Sequence, residues 1–158
     1  MRWCNARRRV AFAVAVPALA ALRRPDEVLL ADDLPGGQVS FLYGPRPGLP
    51  RASAIGTGLV ISRFAGRMPA RFVGKLAGPG TIVERVQIDG EPGLWLAGAE
   101  HLVFYEDARG RVRRSKPRLA GNTLLWQRGA VTLRLEALLS HAQPLQPVLG
   151  CITPEGWA

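Results

Sequence analysis

Short apolar runs separated by glycine and proline extend along the chain, a pattern typical of β-strands joined by turns. The chain contains 18 glycines and 13 prolines, so few segments are long enough for a helix. The predicted strands are 10–16, 27–31, 38–43, 57–64, 80–89, 93–98, 101–106, 111–115, 123–127 and 131–136. The sequence therefore predicts a mainly β protein, with α-helix only at its margins.

Turn signals between residues 80 and 136 predict three successive hairpins. Residues 89–93 (DGEPG) separate two apolar runs, and glycines such as Gly93 adopt positive φ without steric cost. Residues 107–110 (DARG) predict a type I turn with glycine at the bulge position, and Arg128-Gly129 predicts a similar turn. We expect a curved antiparallel sheet in which these hairpins form a meander, with at most one or two short helices.

The distribution of side chains along these strands predicts which residues are buried. In residues 131–136 (VTLRLE) valine and leucine alternate with threonine, arginine and glutamate, which predicts one buried and one solvent-exposed face. Trp95, Tyr105 and Trp126 fall on neighbouring hairpins, where we expect them to pack across the sheet. The alternative is that they line a concave face that binds an apolar or lipid-like ligand.

A chain of 158 residues has the length of one domain, and we divide it into three parts. A basic extension covers residues 1–9, a single β-rich domain covers 10–149, and a tail covers 150–158. Residues 137–149 can begin a helix, but Pro144 and Pro147 end it within two turns. Apolar residues make up 47% and charged residues 21%, which excludes a wholly disordered chain.

The net charge of +9 is concentrated in two clusters. Residues 1–24 contain six arginines and no acid, and residues 109–118 contain five arginines, one lysine and no acid, so the remaining chain carries −3. The second cluster is either the solvated face of a hairpin or a site that binds an anionic surface. Its members are Arg109, Arg111, Arg113, Arg114, Lys116 and Arg118. Nucleic acid is the less favoured partner, because aromatic residues do not interleave with these arginines as they do in single-strand binders.

Residues with catalytic chemistry are few and scattered. The two histidines lie far apart in the sequence, without the spacing of metal ligands, and no nucleotide-binding glycine motif is present. Glu106 and Asp107 are adjacent on a predicted strand, so their carboxylates point to opposite faces and cannot act as a pair. Cys4 and Cys151 pair only if the two ends of the chain meet, which the sequence leaves open. We therefore predict a protein without catalysis, cofactor or bound metal.

The N-terminal segment allows two interpretations. Three arginines followed by the apolar residues 10–22 have the layout of a secretion signal. Pro17 interrupts that apolar run, and the alternation of Phe12, Val14 and Val16 fits a strand that enters a turn. On the residues alone, the strand and the secretion signal are equally good interpretations.

Two segments resemble a family of bacterial extracytoplasmic domains of uncharacterised function. They are residues 86–105 (VQIDGEPGLWLAGAEHLVFY) and 118–136 (RLAGNTLLWQRGAVTLRLE), within a resemblance that extends over about residues 14–136. The family occurs in membrane-anchored, anti-sigma-type envelope proteins of high-GC bacteria. By this resemblance, residues 10–16 form the first strand of the domain rather than a secretion signal.

The resemblance implies a non-catalytic sensory or interaction domain on the extracytoplasmic face of the cell membrane, in a protein of the anti-sigma type. Family members carry a membrane anchor ahead of the domain, whereas a basic extension precedes it here, so the localisation of this chain stays open. Two alternatives remain. One is a β-sheet carrier of an apolar or lipid-like ligand, and the other is a nucleic-acid or anionic-surface binder that acts through residues 109–118. The expected partner is a protein, an apolar ligand or an anionic membrane surface.

Overall fold

The computed structural model describes residues 10–14, 24–31, 35–47, 49, 51, 56–67, 80–88, 90–98, 104–107, 109–114 and 122–138. In this part of the chain every regular element is a β-strand, which confirms the predicted mainly β fold. The strands are β1 (Glu27–Ala31), β2 (Gln38–Tyr43), β3 (Leu59–Arg67), β4 (Thr81–Ile88), β5 (Glu91–Gly98), β6 (Phe104–Asp107), β7 (Val112–Arg114), β8 (Asn122–Arg128) and β9 (Val131–Ala137). Ala137, where the predicted helix of residues 137–149 would begin, belongs to β9, so that start is wrong. The remainder of that segment from residue 139, the predicted extension at 1–9 and the tail at 150–158 lie outside the described residues.

Seven strands form one open antiparallel sheet in the order β1-β2-β3-β9-β8-β5-β4. The β6–β7 hairpin is attached to the end of β3, where Gly66 and Arg67 pair with Asp107 and Glu106. The hairpins β4–β5, β6–β7 and β8–β9 are confirmed. The predicted meander is wrong, because β8 pairs directly with β5 and the intervening hairpin joins β3 instead.

One face of the sheet carries the apolar core. Phe41, Ile61, Leu135 and Leu124 form a row of paired residues across β2, β3, β9 and β8. Each of these side chains is at most 1% exposed. Full burial of such a side chain contributes about 1.5–3 kcal/mol, so the central strands hold the sheet together.

Residues 10–14 pack on this core without forming a strand. Val14 is buried in the apolar cluster, and Val10 and Phe12 pack against it with partial exposure. The N–H of Ala11 donates to the carbonyl of Gly36 at 2.8 Å. The prediction of a strand at 10–16 is therefore wrong for its described part, where apolar packing rather than a strand ladder positions the backbone.

On the central strands the opposite face of the sheet is buried as well, which corrects the prediction of a solvent-exposed face on β9. On β9, Thr132, Arg134 and Glu136 are 0%, 6% and 0% exposed. The alternation in the sequence separated the two faces correctly, since the leucines of β9 belong to the apolar cluster. The polar face nevertheless does not contact water, and it has internal partners such as the bond from the Thr132 hydroxyl to the Gly66 carbonyl at 2.9 Å.

The turn between β4 and β5 is shorter than predicted. Ile88 pairs with Glu91, so two residues form the turn, and the second is Gly90 with a φ of 81°. Gly93 lies inside β5 rather than in the turn. An added Cβ there would lie 2.9 Å from Ile88 Cδ1 and 3.0 Å from the carbonyl oxygen of Leu125. Glycine at position 93 therefore permits a close approach of neighbouring groups, and the predicted turn role is wrong.

Candidate anionic-surface site

The turn of the β6–β7 hairpin has the predicted geometry. The N–H of Asp107 donates to the carbonyl of Arg111 at 3.0 Å, and the N–H of Gly110 donates to the carbonyl of Asp107 at 2.9 Å. Gly110 has a φ of 72°, a conformation that glycine adopts without steric cost. These contacts agree with a type I turn that has glycine at the bulge position.

The carboxylate of Asp107 is bound inside this turn. Asp107 is 4% exposed, and its Oδ1 accepts the N–H groups of Arg109 at 2.8 Å and of Arg111 at 3.0 Å. Backbone donors compensate the burial of a carboxylate and hold the turn in one conformation. Because Arg109 and Arg111 are themselves exposed, the turn presents two arginines to solvent while it buries its acid.

Arg67 at the end of β3 lies beside this turn. Its backbone pairs with Glu106 of β6, and the residue is exposed. We name Arg67, Arg109 and Arg111 the arginine corner. Val112 follows Arg111, is 56% exposed and pairs with Glu106 in the β6–β7 ladder. Charge along the sequence predicted Arg109 and Arg111 but missed Arg67, because only the pairing of β3 with β6 brings Arg67 to this place.

The other predicted members of the basic cluster are described only in part. The backbones of Arg113 and Arg114 lie in β7, where they pair with Tyr105 and Phe104 of β6. Lys116 and Arg118 lie outside the described residues. The structure thus places Arg109 and Arg111 together on one exposed turn, and a surface formed by all six basic residues stays a prediction.

Two further arginines lie on the main sheet, toward the end at which β3 meets β6. Arg63 of β3 and Arg128 of β8 are half-buried. Burial, followed by the positive charge of Arg128, lowers the pKa of Arg63 from its ordinary value. The Arg63 guanidinium lies 5.6 Å from the centre of the Phe12 ring, a cation–π contact that compensates part of its burial. Glu91 also lies at this end, but three strands from β3, which is about 14 Å at the usual strand spacing.

The aromatic residues predicted to line an apolar face belong to the core where the structure describes their side chains. Trp95 and Trp126 are 1% and 2% exposed, and both lie in the apolar cluster with Leu124 and Leu133. Tyr105 lies in β6, and its side chain is outside the described part. The two tryptophans therefore pack across the sheet, and an apolar ligand would have to replace their core contacts.

A second polar cluster, which the sequence did not indicate, lies around Tyr43 at the opposite end of β3. Asp26 forms an ion pair with Arg46, and its Oδ2 accepts the N–H of Gly44 at 2.6 Å. The Arg46 guanidinium lies 5.8 Å from the centre of the Tyr43 ring. Tyr43 is fully buried, and this burial, only partly offset by the positive charge of Arg46, raises its pKa to about 12. These contacts hold the loop after β2 against the start of β1.

Four polar side chains are buried together on the face of the sheet that was predicted to be exposed. The Ser40 and Ser62 hydroxyls are hydrogen-bonded at 2.8 Å, and Ser62 pairs with Arg134 in the ladder. Arg134 Nε lies 2.8 Å from Glu136 Oε1, and the two side chains are 7% and 0% exposed. Side chains this deeply buried do not meet solutes, so we assign them to the stability of the fold. Their alternation in the sequence is the same as on an exposed face and gave no signal of this burial.

Among the described residues, no three His, Cys, Asp or Glu side chains are placed to hold a metal ion. The same part of the chain has no helix with the length and apolar character needed to cross a membrane. Both histidines are outside the described residues, as is the Cys4–Cys151 pairing that the sequence left open.

Comparison of the chain with protein-family models, curated proteins and solved structures found no match. The family resemblance of residues 86–105 and 118–136 therefore stays an expectation. Within the described residues, the arginine corner presents three exposed arginines at a turn that backbone hydrogen bonds fix, with Glu106 as the ladder partner of Arg67, and it is the candidate site that we carry forward.

Proposed function

We propose that this protein is a non-catalytic interaction domain on the extracytoplasmic face of a membrane, and that it binds an anionic surface through the arginine corner. The observation that carries the proposal is the inward orientation of Asp107, which donors from the backbone of Arg109 and Arg111 hold in place. These hydrogen bonds fix the conformation of the turn on which Arg109 and Arg111 are exposed, so the two arginines are held in place before an external anion binds.

The location and the absence of catalysis are parts of the same proposal. The location is supported by the sequence resemblance to extracytoplasmic domains, which also suggests a sensory role in a protein of the anti-sigma type. The non-catalytic role is supported by the described buried polar groups, since Asp107 shapes a turn and Glu136 pairs with Arg134. These groups have contacts that serve the fold.

Three exposed arginines are sufficient for measurable binding. An arginine near an anionic lipid surface contributes about 1 kcal/mol, so the arginine corner contributes about 3 kcal/mol. That free energy corresponds to a roughly 150-fold larger binding constant. Because the arginines are exposed, salt screens the attraction, and we expect binding to weaken steeply as the ionic strength rises.

Binding of the full chain to anionic vesicles and to immobilised heparin, measured at several salt concentrations, tests the proposal. The site variant replaces the arginine corner by glutamine (R67Q, R109Q and R111Q together). The matched control is the triple variant R24Q, R51Q and R85Q, which removes the same charge from exposed positions elsewhere.

We expect the site variant to bind roughly 100-fold more weakly at about 50 mM salt, and the control to lose less than about fivefold. An equal loss in the two triple variants would contradict the proposal, because it would show that only the net charge of the chain matters.

A further inference from the structure

The outer edge of β1 presents backbone hydrogen-bonding groups that no other described strand contacts. The carbonyl of Leu42 accepts the N–H of Asp26 at 2.9 Å, so the backbone groups of Leu42 face β1. Glu27 pairs with Leu42, and the direction of the backbone groups alternates along a strand, so Glu27 faces β2 and Val28 faces away from it. The N–H and C=O groups of Val28 and Leu30 therefore point outward at the edge of the sheet.

The side chains of β1 do not prevent a further strand from pairing there. β1 carries no charged residue after its first position. Val28 and Leu30 pack against the apolar cluster, and Leu29 is 46% exposed on the opposite face. Asp26, which precedes β1, already forms an ion pair with Arg46. Strands at the edge of a sheet usually carry charge or proline that blocks such pairing, and β1 lacks this protection.

A second copy of the same strand fits this edge. Rotation about a twofold axis perpendicular to the sheet at Leu29 places the two strands antiparallel, with the same faces on the same side. Leu29 then lies opposite its own copy, and Val28 lies opposite Leu30. The outward N–H and C=O groups form four hydrogen bonds, two for each pair of Val28 with Leu30. Glu27 lies opposite Ala31, so no like charges meet within the two strands.

β4, the strand at the other end of the described sheet, does not fit a copy of itself in this way. Its middle residues, Glu84 and Arg85, are both exposed. The twofold registers that pair most of β4 are centred on one or the other of these residues. Glu84 would then lie opposite its own copy, or Arg85 opposite its own, and like charges in that position destabilise a pair of strands. The two edges therefore differ in their ability to pair with themselves.

We propose that two copies of this chain associate through β1, in the register centred on Leu29, and form one continuous antiparallel sheet. The exposed Leu29 side chains of the two copies are then buried against each other. Three apolar pairs form a small interface, so we expect a dissociation constant of roughly 10–500 µM. The inference goes beyond the proposed function, because no member of the arginine corner belongs to β1.

Sedimentation equilibrium of the full chain, from about 10 µM to about 1 mM at about 0.15 M salt, measures this association. Leu29→Lys should raise the dissociation constant about 30-fold, because the burial of leucine is lost in both copies and like charges lie opposite each other. Ile82→Lys on β4 is the matched control. Ile82 is 57% exposed, and its substitution adds the same charge but should change the dissociation constant less than about twofold.

A mixture of two variants tests the register. Leu29→Glu alone should weaken the dimer as Leu29→Lys does. An equimolar mixture of the two variant chains should associate at least about tenfold more tightly than either variant alone, because opposite charges then face each other across the axis. A mixture that associates no better than its components would refute the register centred on Leu29.

Three other outcomes would overturn the inference. One is a native chain that stays monomeric up to about 1 mM, and another is an equal effect of Leu29→Lys and Ile82→Lys. The third is assembly that continues beyond the dimer, which would indicate that β1 pairs with β4 of the next copy. Circular dichroism and the urea midpoint establish that each variant is folded. The glutamine variant of the arginine corner should dimerise as the native chain does, so failure of the proposed function leaves this result unchanged.

Discussion

Removal of one partner of the buried ion pair on β9 should destabilise the protein strongly. Glu136→Leu leaves the guanidinium of Arg134 buried without the carboxylate that now lies 2.8 Å from its Nε. Loss of one partner from a buried pair costs about 3–5 kcal/mol, because the remaining charge keeps its desolvation cost. Domains are stable by only about 5–15 kcal/mol, so this single change should remove a large fraction of the free energy of unfolding.

The double variant separates the burial cost from the value of the pair. Arg134→Met alone should also cost about 3–5 kcal/mol, because the buried carboxylate of Glu136 then loses the cation beside it. Arg134→Met combined with Glu136→Leu replaces the pair by apolar side chains, and we expect the double variant to lose less than about 2 kcal/mol. The coupling between the two positions should therefore be large.

Equilibrium unfolding in urea, followed by the fluorescence of the buried Trp95 and Trp126, measures these free energies. The control is Arg46→Met, which breaks the exposed pair with Asp26, whose side chain is 58% exposed, and should cost about 1 kcal/mol or less. Single β9 variants that lose no more than this control would refute the reasoning. Additive losses in the double variant would refute it as well, because each charge would then be stabilised independently of the other.

Two further predictions concern a close backbone contact and the buried tyrosine. Gly98→Ala should cost about 3 kcal/mol, since the new Cβ would lie 2.2 Å from the Gly80 carbonyl oxygen. At Gly90 no atom lies within 4 Å of an added Cβ, so Gly90→Ala should cost only about 1 kcal/mol, which comes from the positive φ. Equal losses of unfolding free energy in the two alanine variants, measured in urea, would contradict this prediction. In a Tyr105→Phe variant, the tyrosinate absorbance should report Tyr43 with a pKa of about 12. The folded chain keeps a proton that the unfolded chain loses near pH 10, so the free energy of unfolding should fall between about pH 10 and 12 by up to about 2.7 kcal/mol. A tyrosinate titration with its midpoint near pH 10 would show that Tyr43 is not buried.

Local sequence signals predicted the hairpins and several strand bounds. The predicted strands 27–31 and 38–43 coincide with β1 and β2, because apolar alternation and nearby turn residues define both ends. The order of strands in the sheet was not predictable in the same way. The pairing of β8 with β5 depends on contacts between segments far apart in the chain, and no residue at their ends indicates that the β6–β7 hairpin is bypassed.

The sequence predicted only the part of the candidate site that the distribution of charge along the chain reveals. Arg109 and Arg111 were found because they lie in a run of arginines without acids. The run alone does not show that Asp107, the acid just before it, is turned inward, because that depends on hydrogen bonds in the folded turn. Arg67 is separated from this run by the whole β4–β5 hairpin, and only the ladder between β3 and β6 joins them.

The buried polar face links the stability of the sheet to the arginine corner. In a strand, a shift of one residue moves each side chain to the other face, so a face with matched polar pairs fixes the register. The Thr132 hydroxyl donates to the carbonyl of Gly66 at the point where β3 leaves β9. The next residue, Arg67, begins the contact with β6. Polar groups that the sequence assigned to solvent therefore hold the end of β3 in the position from which Arg67 joins Arg109 and Arg111 on one surface.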